Sequence, residues 1–487
     1  MYANNTCKMF PTSPYKKSFI FTHIDTESKT KMAPTKKQSS DSEDNLETQI
    51  SKTPEQMQSD ARSCIYAVPE TLTKINTKDA YKPRVVSIGP HHRKDVQVLF
   101  IKKHKLEFLS HLLQRTEIPC VKSLVESIRS LEKEARECYS KEINNLESED
   151  DQFLEMMVLD GCFLIELFRK SAVTADKQKV FERGDPLAAM AWAVPYIYGD
   201  LLLVGNQIPF SVMENLFQTS KMPGDSDASL SLLALKFFNK VMQRPDRVIH
   251  KFLNRPTPNG QKVLPLHLLD LVRSSLLLQP DQEETRIAIS NSEPSNKRND
   301  LIYCISKLRP AGIMLRGRDA DSFLDVKFKK GKGIFGNGVI EMPNITMHYH
   351  MKSFLVNCVA FEQLHNPPSK QFTVYARLLD CLVNTSKDVD HLCETEIFDN
   401  YFGKDGDIVL FINKMGKDLA FDGDHFYLSE LFRDVNDCYR NKWKVQLAKI
   451  KARYFDSPWS FISLLAAIVL LLLTLLSTFY TVYAYYV

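Results

Sequence analysis

Residues Gly331-Lys332-Gly333-Ile334-Phe335-Gly336 satisfy the spacing G-x-G-x-x-G. That spacing holds a pyrophosphate when a strand leads into it and a helix N-terminus follows. Here Val339-Ile340-Glu341-Met342-Pro343 follows, strand-like and ended by proline, so the glycines read as a hairpin turn. Three carboxylates, Glu155, Asp160 and Glu166, interrupt one apolar run. On a helix Asp160 and Glu166 stand about 240° apart and do not face each other. Glu155 and Glu166 share a face but lie ~16 Å apart along it, beyond the ~5–10 Å of a glycosidase pair. Capping or hydrogen bonding between helices is the better reading. His91-His92 with His104 and His111, and His348-x-His350, could ligate a metal, and H-x-H on a strand would put both rings on one face. No third ligand stands at ordinary spacing, and H-E-x-x-H and G-x-S-x-G are absent. Asp405-Gly406-Asp407 and Asp422-Gly423-Asp424 read as Asp-Gly turns, without the full calcium-loop pattern. No catalytic, cofactor-binding or metal residue is assigned, and no cofactor is expected.

One set of charges has a period. Lys236, Lys240, Arg244, Arg247, Lys251 and Arg255 fall at steps of 4, 4, 3, 4 and 4, one helical face. Phe237, Phe238, Val241, Val248, Ile249 and Phe252 take the opposite side, and Pro245 threatens to divide the run into two helices. Such a face is either solvated or contacts an acidic surface, a partner's or an anionic leaflet's.

The elements that carry these residues are mainly helical. A chain of 487 residues, 44% apolar and 25% charged, is neither wholly disordered nor fibrous. Gly 17 against Pro 23 argues against a glycine-turn-rich β protein, and the net charge of 63 − 59 = +4 is too small to argue for nucleic acid. Residues 1–60 are polar, with Lys36-Lys37-Gln38-Ser39-Ser40-Asp41 typical of a disordered segment, and Met32-Ala33 offers a second start. A helical body is expected over 61–455, beginning near Cys64-Ile65-Tyr66. Val121, Leu124, Val125, Ile128, Leu131, Ala135 and Cys138 recur at helical steps, and Met156 to Phe168 is dense enough for a central core helix. Another helical run follows Pro186 to Leu203, with Pro195 as a kink or break. Residues 279–300 read as an exposed loop, and Phe323 to Met342 as a short β-hairpin.

From Ser457 to Val487 the chain is uncharged over 31 residues. A hydrocarbon core of ~30 Å needs ~20 helical residues, so this stretch can span it. Trp459 marks one interface, and Tyr480, Tyr483, Tyr485 and Tyr486 the other. Arg440, Lys442, Lys444, Lys449, Lys451 and Arg453 precede the span and no charge follows it. The positive-inside bias puts the body in the cytosol, as expected of a single-pass tail anchor in the plasma membrane or an endomembrane. All ten cysteines, Cys7 to Cys438, precede the span and would be reduced there. The sequons at Asn4, Asn344 and Asn384 would stay unglycosylated.

Ile65-Tyr66-Ala67-Val68-Pro69, Tyr81-Lys82-Pro83 and Val86-Ser87-Ile88-Gly89-Pro90-His91-His92 resemble the opening of a plant family, domain of unknown function 247. The likeness continues through Leu159-Asp160-Gly161-Cys162-Phe163, Asn206-Gln207-Ile208-Pro209-Phe210, His267-Leu268-Leu269-Asp270-Leu271, Ala311-Gly312-Ile313 and Asn357-Cys358-Val359-Ala360-Phe361-Glu362-Gln363. It closes at Pro458-Trp459 before the span; one departure is Gly205, where members usually carry Glu. The resemblance implies a largely helical, C-terminally anchored protein without established catalytic residues. Some grass members are implicated in self-incompatibility. The motif residues themselves also read as packing: Pro209 fixes the chain direction and Phe210 fills a core site.

Together these point to a mainly α protein with a minor β-hairpin and one transmembrane helix. Its expected contacts are membrane lipid through that helix and an unidentified protein partner, with no nucleic acid. The expectation is a non-enzymatic binding role in recognition or signalling. A hydrolase or transferase with a dispersed site, and a membrane scaffold using the basic face, are the rivals. A pocket of convergent titratable groups would favour the enzyme, and an exposed apolar patch would favour binding.

Overall fold

The computed structural model describes residues 62–441 apart from 77, 94–98, 117, 141–149, 178–185, 223–228, 257–263, 279–300, 332–337, 402 and 421–425, together with 446 and 458–486. The expected disordered segment 1–60, the loop at 279–300, the turn at 422–424 and most of the basic flank before the terminal helix lie outside these residues.

The chain order begins α1 (Glu70–Asn76), α2 (Leu99–Thr116), α3 (Val121–Arg129), α4 (Glu132–Glu137) and α5 (Asp150–Lys177). It continues with α6 (Pro186–Ala189), α7 (Val194–Asp200), α8 (Phe210–Thr219), α9 (Leu230–Met242), α10 (Asp246–Leu253), α11 (Leu268–Ser274) and α12 (Ile305–Leu308). The strands are β1 (Met314–Arg318), β2 (Lys327–Lys329), β3 (Val339–Pro343) and β4 (Ile345–Met347). Then come α13 (Tyr349–His365), α14 (Gln371–Leu382), α15 (Ser386–Glu394), β5 (Phe398–Asn400), α16 (Asp405–Met415), α17 (Ser429–Arg440) and α18 (Pro458–Tyr486).

α5 is the central helix that its apolar run predicts. Met157, Val158, Cys162, Phe163, Leu164, Ile165, Leu167 and Phe168 are all buried, so two turns have no solvent face. α2, α3, α8 and α9 enclose it. Phe163 meets Phe108 of α2 edge-to-face at 5.2 Å between ring centroids. A Cβ on Gly161 would stand 2.6 Å from Leu216 Cδ1, so the glycine lets the Leu216 side chain of α8 pack directly against α5. Pro195 falls in the first turn of α7, where its missing N–H costs nothing, and the run after Pro186 breaks into two short helices.

The second half is built on α13, whose Met351 to Glu362 are buried almost without interruption. α14 packs along it. Apolar side chains of both halves belong to one continuous core. β2 and β3 form the expected antiparallel hairpin, with Lys327 opposite Glu341 and Lys329 opposite Val339. β1 pairs with the other edge of β3 in parallel, Met314 opposite Val339, which local pattern does not signal. β4 and β5 likewise pair in parallel.

Two local expectations are corrected. Asp405-Gly406-Asp407 is no turn: it opens α16, where two carboxylates in the first turn complement the positive end of the helix dipole. His348-x-His350 is not strand. The His348 side chain caps α13 by accepting the Met351 N–H, and His350 sits in that helix's first turn.

Candidate functional site

The motif segments converge on the irregular stretch from Arg84 to Gly89, which has no regular structure to satisfy its backbone. Asp200, the last residue of α7, accepts the N–H groups of Arg84 at 2.9 Å, Val85 at 2.7 Å and Val86 at 2.9 Å. Burial pushes its carboxyl pKa up, and these donors work against that rise. Asn206 accepts from Ile88 N–H at 2.7 Å and donates to the carbonyls of Val86 and Asp200. Asp160 of α5 accepts from Gly89 N–H at 2.8 Å and from the Lys105 ammonium, which also reaches the Ser87 carbonyl. Gly89 has φ +72°, and a Cβ there would meet the Gln207 carbonyl oxygen at 2.5 Å, so no other residue fits.

The framework extends outward. Gln207 donates to the carbonyls of Leu201 and Leu203 and accepts Leu269 N–H, while the Tyr139 hydroxyl donates to the Gln207 carbonyl. His267 caps α11 by accepting Asp270 N–H at Nδ1, which leaves Nε2 to donate to the Cys64 carbonyl at 3.1 Å. Burial lowers the His267 pKa to about 4, in keeping with a neutral ring. Asn357 ties α13 to Val204 and Ala80. Fully buried Glu362 accepts from Arg273 Nε and Nη2, at 3.0 and 2.8 Å, and from the N–H groups of Phe372 and Thr373. Glu166 accepts from Arg115 at 2.6 Å and Arg169 at 3.1 Å, while Glu155 is exposed. The inter-helix role expected of Asp160 and Glu166 is therefore what they have, and their oxygens act as acceptors that hold backbone and basic groups in place. Gly205 points its missing Cβ at the Tyr66 carbonyl, 3.1 Å away, and at His92 Nε2, 3.5 Å away. Nothing in local sequence signals Asp200, Tyr139 or Arg273; each is a polar residue whose partner lies 60 or more positions away in the chain.

Among the described residues no three His, Cys, Asp or Glu gather as a metal site. Gly331 lines a cleft of about 190 Å³ with Lys330, Asp434, Asp437, Cys438 and Asn441, where Lys330 pairs with Asp434 at 2.9 Å.

The periodic basic residues do not form one continuous face. Gln243 ends α9 in a left-handed conformation and Pro245 caps α10, so two helices share them. Lys240 turns onto α5, donating to Ser171 Oγ at 2.8 Å. Arg244 donates to Ser275 Oγ at 2.9 Å, and burial lowers its pKa to about 10. Arg247 and Lys251 both meet Asp321, at 3.6 and 3.2 Å. Arg255 lies over the Phe252 ring, and Lys236 is exposed. Phe237, Phe238, Val248 and Ile249 are buried opposite, as the period requires.

α18 is long and apolar enough to cross a membrane: Leu465–Tyr486 has a mean hydropathy of 2.3 and nothing in it is buried against the body. Trp459, Tyr480 and Tyr483 are all exposed on it. Elsewhere the exposed large apolar residues include Trp192 at 57%, with Tyr196 and Tyr349 each at 40%. α7 and the first turn of α13 touch at Gly199, whose Cβ position lies 3.9 Å from Tyr349 Cε1, and the Arg84 guanidinium stacks 4.1 Å from the Tyr349 ring centroid.

Comparison with known proteins finds a family and relatives that match most of the chain. Residues 65–473 match the model of a family described as "Plant protein of unknown function". UPF0481 protein At3g47200 of Arabidopsis thaliana is 32% identical over 440 residues, covering 87% of each chain. Putative UPF0481 protein At3g02645, from the same plant, is 23% identical over 501 residues, covering 86% of this chain and 90% of its own. No solved structure matches. With its opening motif, its buried polar framework and its terminal helix inside or beside the matched region, the chain belongs to the DUF247 family of plant proteins.

Proposed function

We propose that this protein is a non-enzymatic membrane protein, held by α18, whose folded body binds a protein partner on the cytosolic side in recognition or signalling. The observation that carries the reading is the exposed Tyr349 ring with exposed Arg84 stacked on it where α13 meets α7, with Tyr196 exposed on α7 and Trp192 exposed in the turn before it. Trp, Tyr and Arg are the residue types that dominate binding energy at protein interfaces. Arg84 is held in place, because Asp200 and Asn206 pin the backbone of residues 84–88. The buried carboxylates of the framework supply that rigidity rather than an acid and a base. The one-sided basic flank read from the sequence supports the cytosolic placement.

Proximity labelling from native membranes tests the reading, comparing the natural chain with a Trp192→Ala, Tyr196→Ala, Tyr349→Ala variant. Loss of a defined set of labelled proteins at unchanged abundance supports it; an unchanged set defeats it. Carbonate-washed membranes should retain the full chain and release one truncated before Ser457. The scaffold reading draws on Lys236, Arg247 and Lys251, which remain exposed.

A further inference from the structure

Ile65 and Tyr139 form an isolated parallel bridge, and the N–H groups of Cys64 and Ile65 both donate to the Cys138 carbonyl at 2.8 Å. The Cys64 N–H bond runs to the carbonyl of Cys138 itself, the residue that caps the end of α4, so the two backbones meet at this pair. That contact is compatible with the ~4.4–6.8 Å Cα separation that a disulfide requires, and the two thiols share a hydrogen bond. Both are free thiols, Cys64 buried at 2% exposure and Cys138 partly buried.

We propose that Cys64 and Cys138 are a redox-sensitive pair that closes to a disulfide on exposure to a low-molecular-weight disulfide such as oxidised glutathione, stapling the opening segment of the body to the end of α4. Cys138 starts the exchange. The hydrogen bond from Cys64 holds its pKa below that of a free thiol, whereas the same contact and burial push Cys64 up. The Cys138 thiolate attacks one glutathione sulfur, the glutathione S–S bond breaks, and the departing glutathione thiolate takes the proton that Cys138 released. Cys64 loses its proton as it attacks Cys138 Sγ in the mixed disulfide, and the second glutathione leaves as a thiol with that proton. The protein dithiol is oxidised by two electrons, and one oxidised glutathione becomes two reduced ones.

The staple falls at the start of the body, where Cys64 and Ile65 are buried in the core. Besides the bridge, the segment is tied by the His267 ring to the Cys64 carbonyl, by Ser63 Oγ to the Tyr139 carbonyl at 3.4 Å, by the Tyr66 hydroxyl to the Ser63 carbonyl and to His365, and by the exposed Arg62–Glu137 pair. A covalent link across residues 64 and 138 fixes this edge and removes freedom from the unfolded chain.

The experiment titrates the full-length, detergent-solubilised chain with mixtures of oxidised and reduced glutathione, then maps its peptides without reduction. The expected result is a single Cys64–Cys138 link that dithiothreitol opens, with the oxidised form melting several degrees above the reduced one. Cys64→Ser should trap glutathione on Cys138, and Cys138→Ser should leave Cys64 unmodified. If a serine variant does not fold, the peptide map of the natural chain decides. Persistence of both thiols in fully oxidised glutathione, a link between either cysteine and a third, or unchanged melting would overturn the proposal.

Discussion

The polar framework around residues 84–89 and the basic residues of α9 and α10 use the same kinds of side chain to different ends. In the framework these carboxylates are met: Asp160 by Gly89 N–H and Lys105, Asp200 by three backbone donors, Glu362 by Arg273 and two more. On the basic helices satisfaction is partial. Arg244 reaches Ser275, yet its Nε and Nη2 are buried without a partner among the described residues, and Arg247 and Lys251 share one exposed aspartate. Buried polar groups lose several kcal/mol unless paired, whereas exposed ones lose little either way. The framework is thus where a single change should propagate, and the basic face is where changes should stay local.

The largest effect sharpens that contrast. Glu362→Ala leaves Arg273 buried with only the more distant Asp270, at 3.7 Å, and the Ser369 carbonyl, and should cost about 3–5 kcal/mol. Urea unfolding of the chain truncated before Ser457 reads it, and a loss under about 1 kcal/mol would show that the pair does not hold the fold. Phe163→Ala, at the contact with Phe108, should cost about 2–5 kcal/mol and lower abundance. An unchanged melting temperature would place Phe163 outside the core.

The next effect depends on pH. His267 titrates near pH 4 when folded and near its ordinary 6.5 when unfolded. Between those values the unfolded chain binds the extra proton, so the contribution is whole above pH 6.5 and is lost as pH falls toward 4. Its size is on the order of 3 kcal/mol. Asp270, His365 and Arg273 surround the ring and bear on the value. His267→Asn keeps an acceptor at the cap, so its stability should fall less steeply than the natural chain's between pH 7 and pH 4. Parallel slopes would remove His267 as the cause.

The smallest effects belong to the basic face. Lys236→Glu, Arg247→Glu and Lys251→Glu together should shift stability by no more than about 0.5 kcal/mol each. If the face meets anionic lipid, the same change should weaken binding of the truncated chain to anionic vesicles by roughly 1 kcal/mol per charge at low salt. Equal vesicle binding would leave these residues as solvated.

Much of this protein was legible from local pattern. The density of apolar residues from Met156 to Phe168 dictates a helix buried on all sides, and α5 is that helix. The uncharged run after Asp456 dictates a span-length helix, because length and transfer free energy depend on the residues in the run alone. Helical spacing was enough to deny Asp160 and Glu166 a shared site. It did not find their partners, Lys105 and Arg115, which lie 55 and 51 residues away. The Asp405-Gly406-Asp407 error had an available signal, acidic residues opening an apolar run, that the Asp-Gly pair masked.

What only tertiary structure decided has one physical origin: contacts between segments distant in the chain carry no local period. Gly89 is visible as a motif glycine, but its necessity comes from a positive φ and from the Gln207 carbonyl 118 positions later. β1 reads as an ordinary short run until β3 lies beside it in parallel. Arg244 shares a period with Lys236, yet Ser275 holds it partly buried while Lys236 stays in water, and Lys240, though exposed, is tied to Ser171. Sequence alone determined that the central run from Met156 to Phe168 is a buried helix and which helix can enter a membrane. Whether a given charge becomes a buried tie or a solvated surface was decided by what the fold placed beside it.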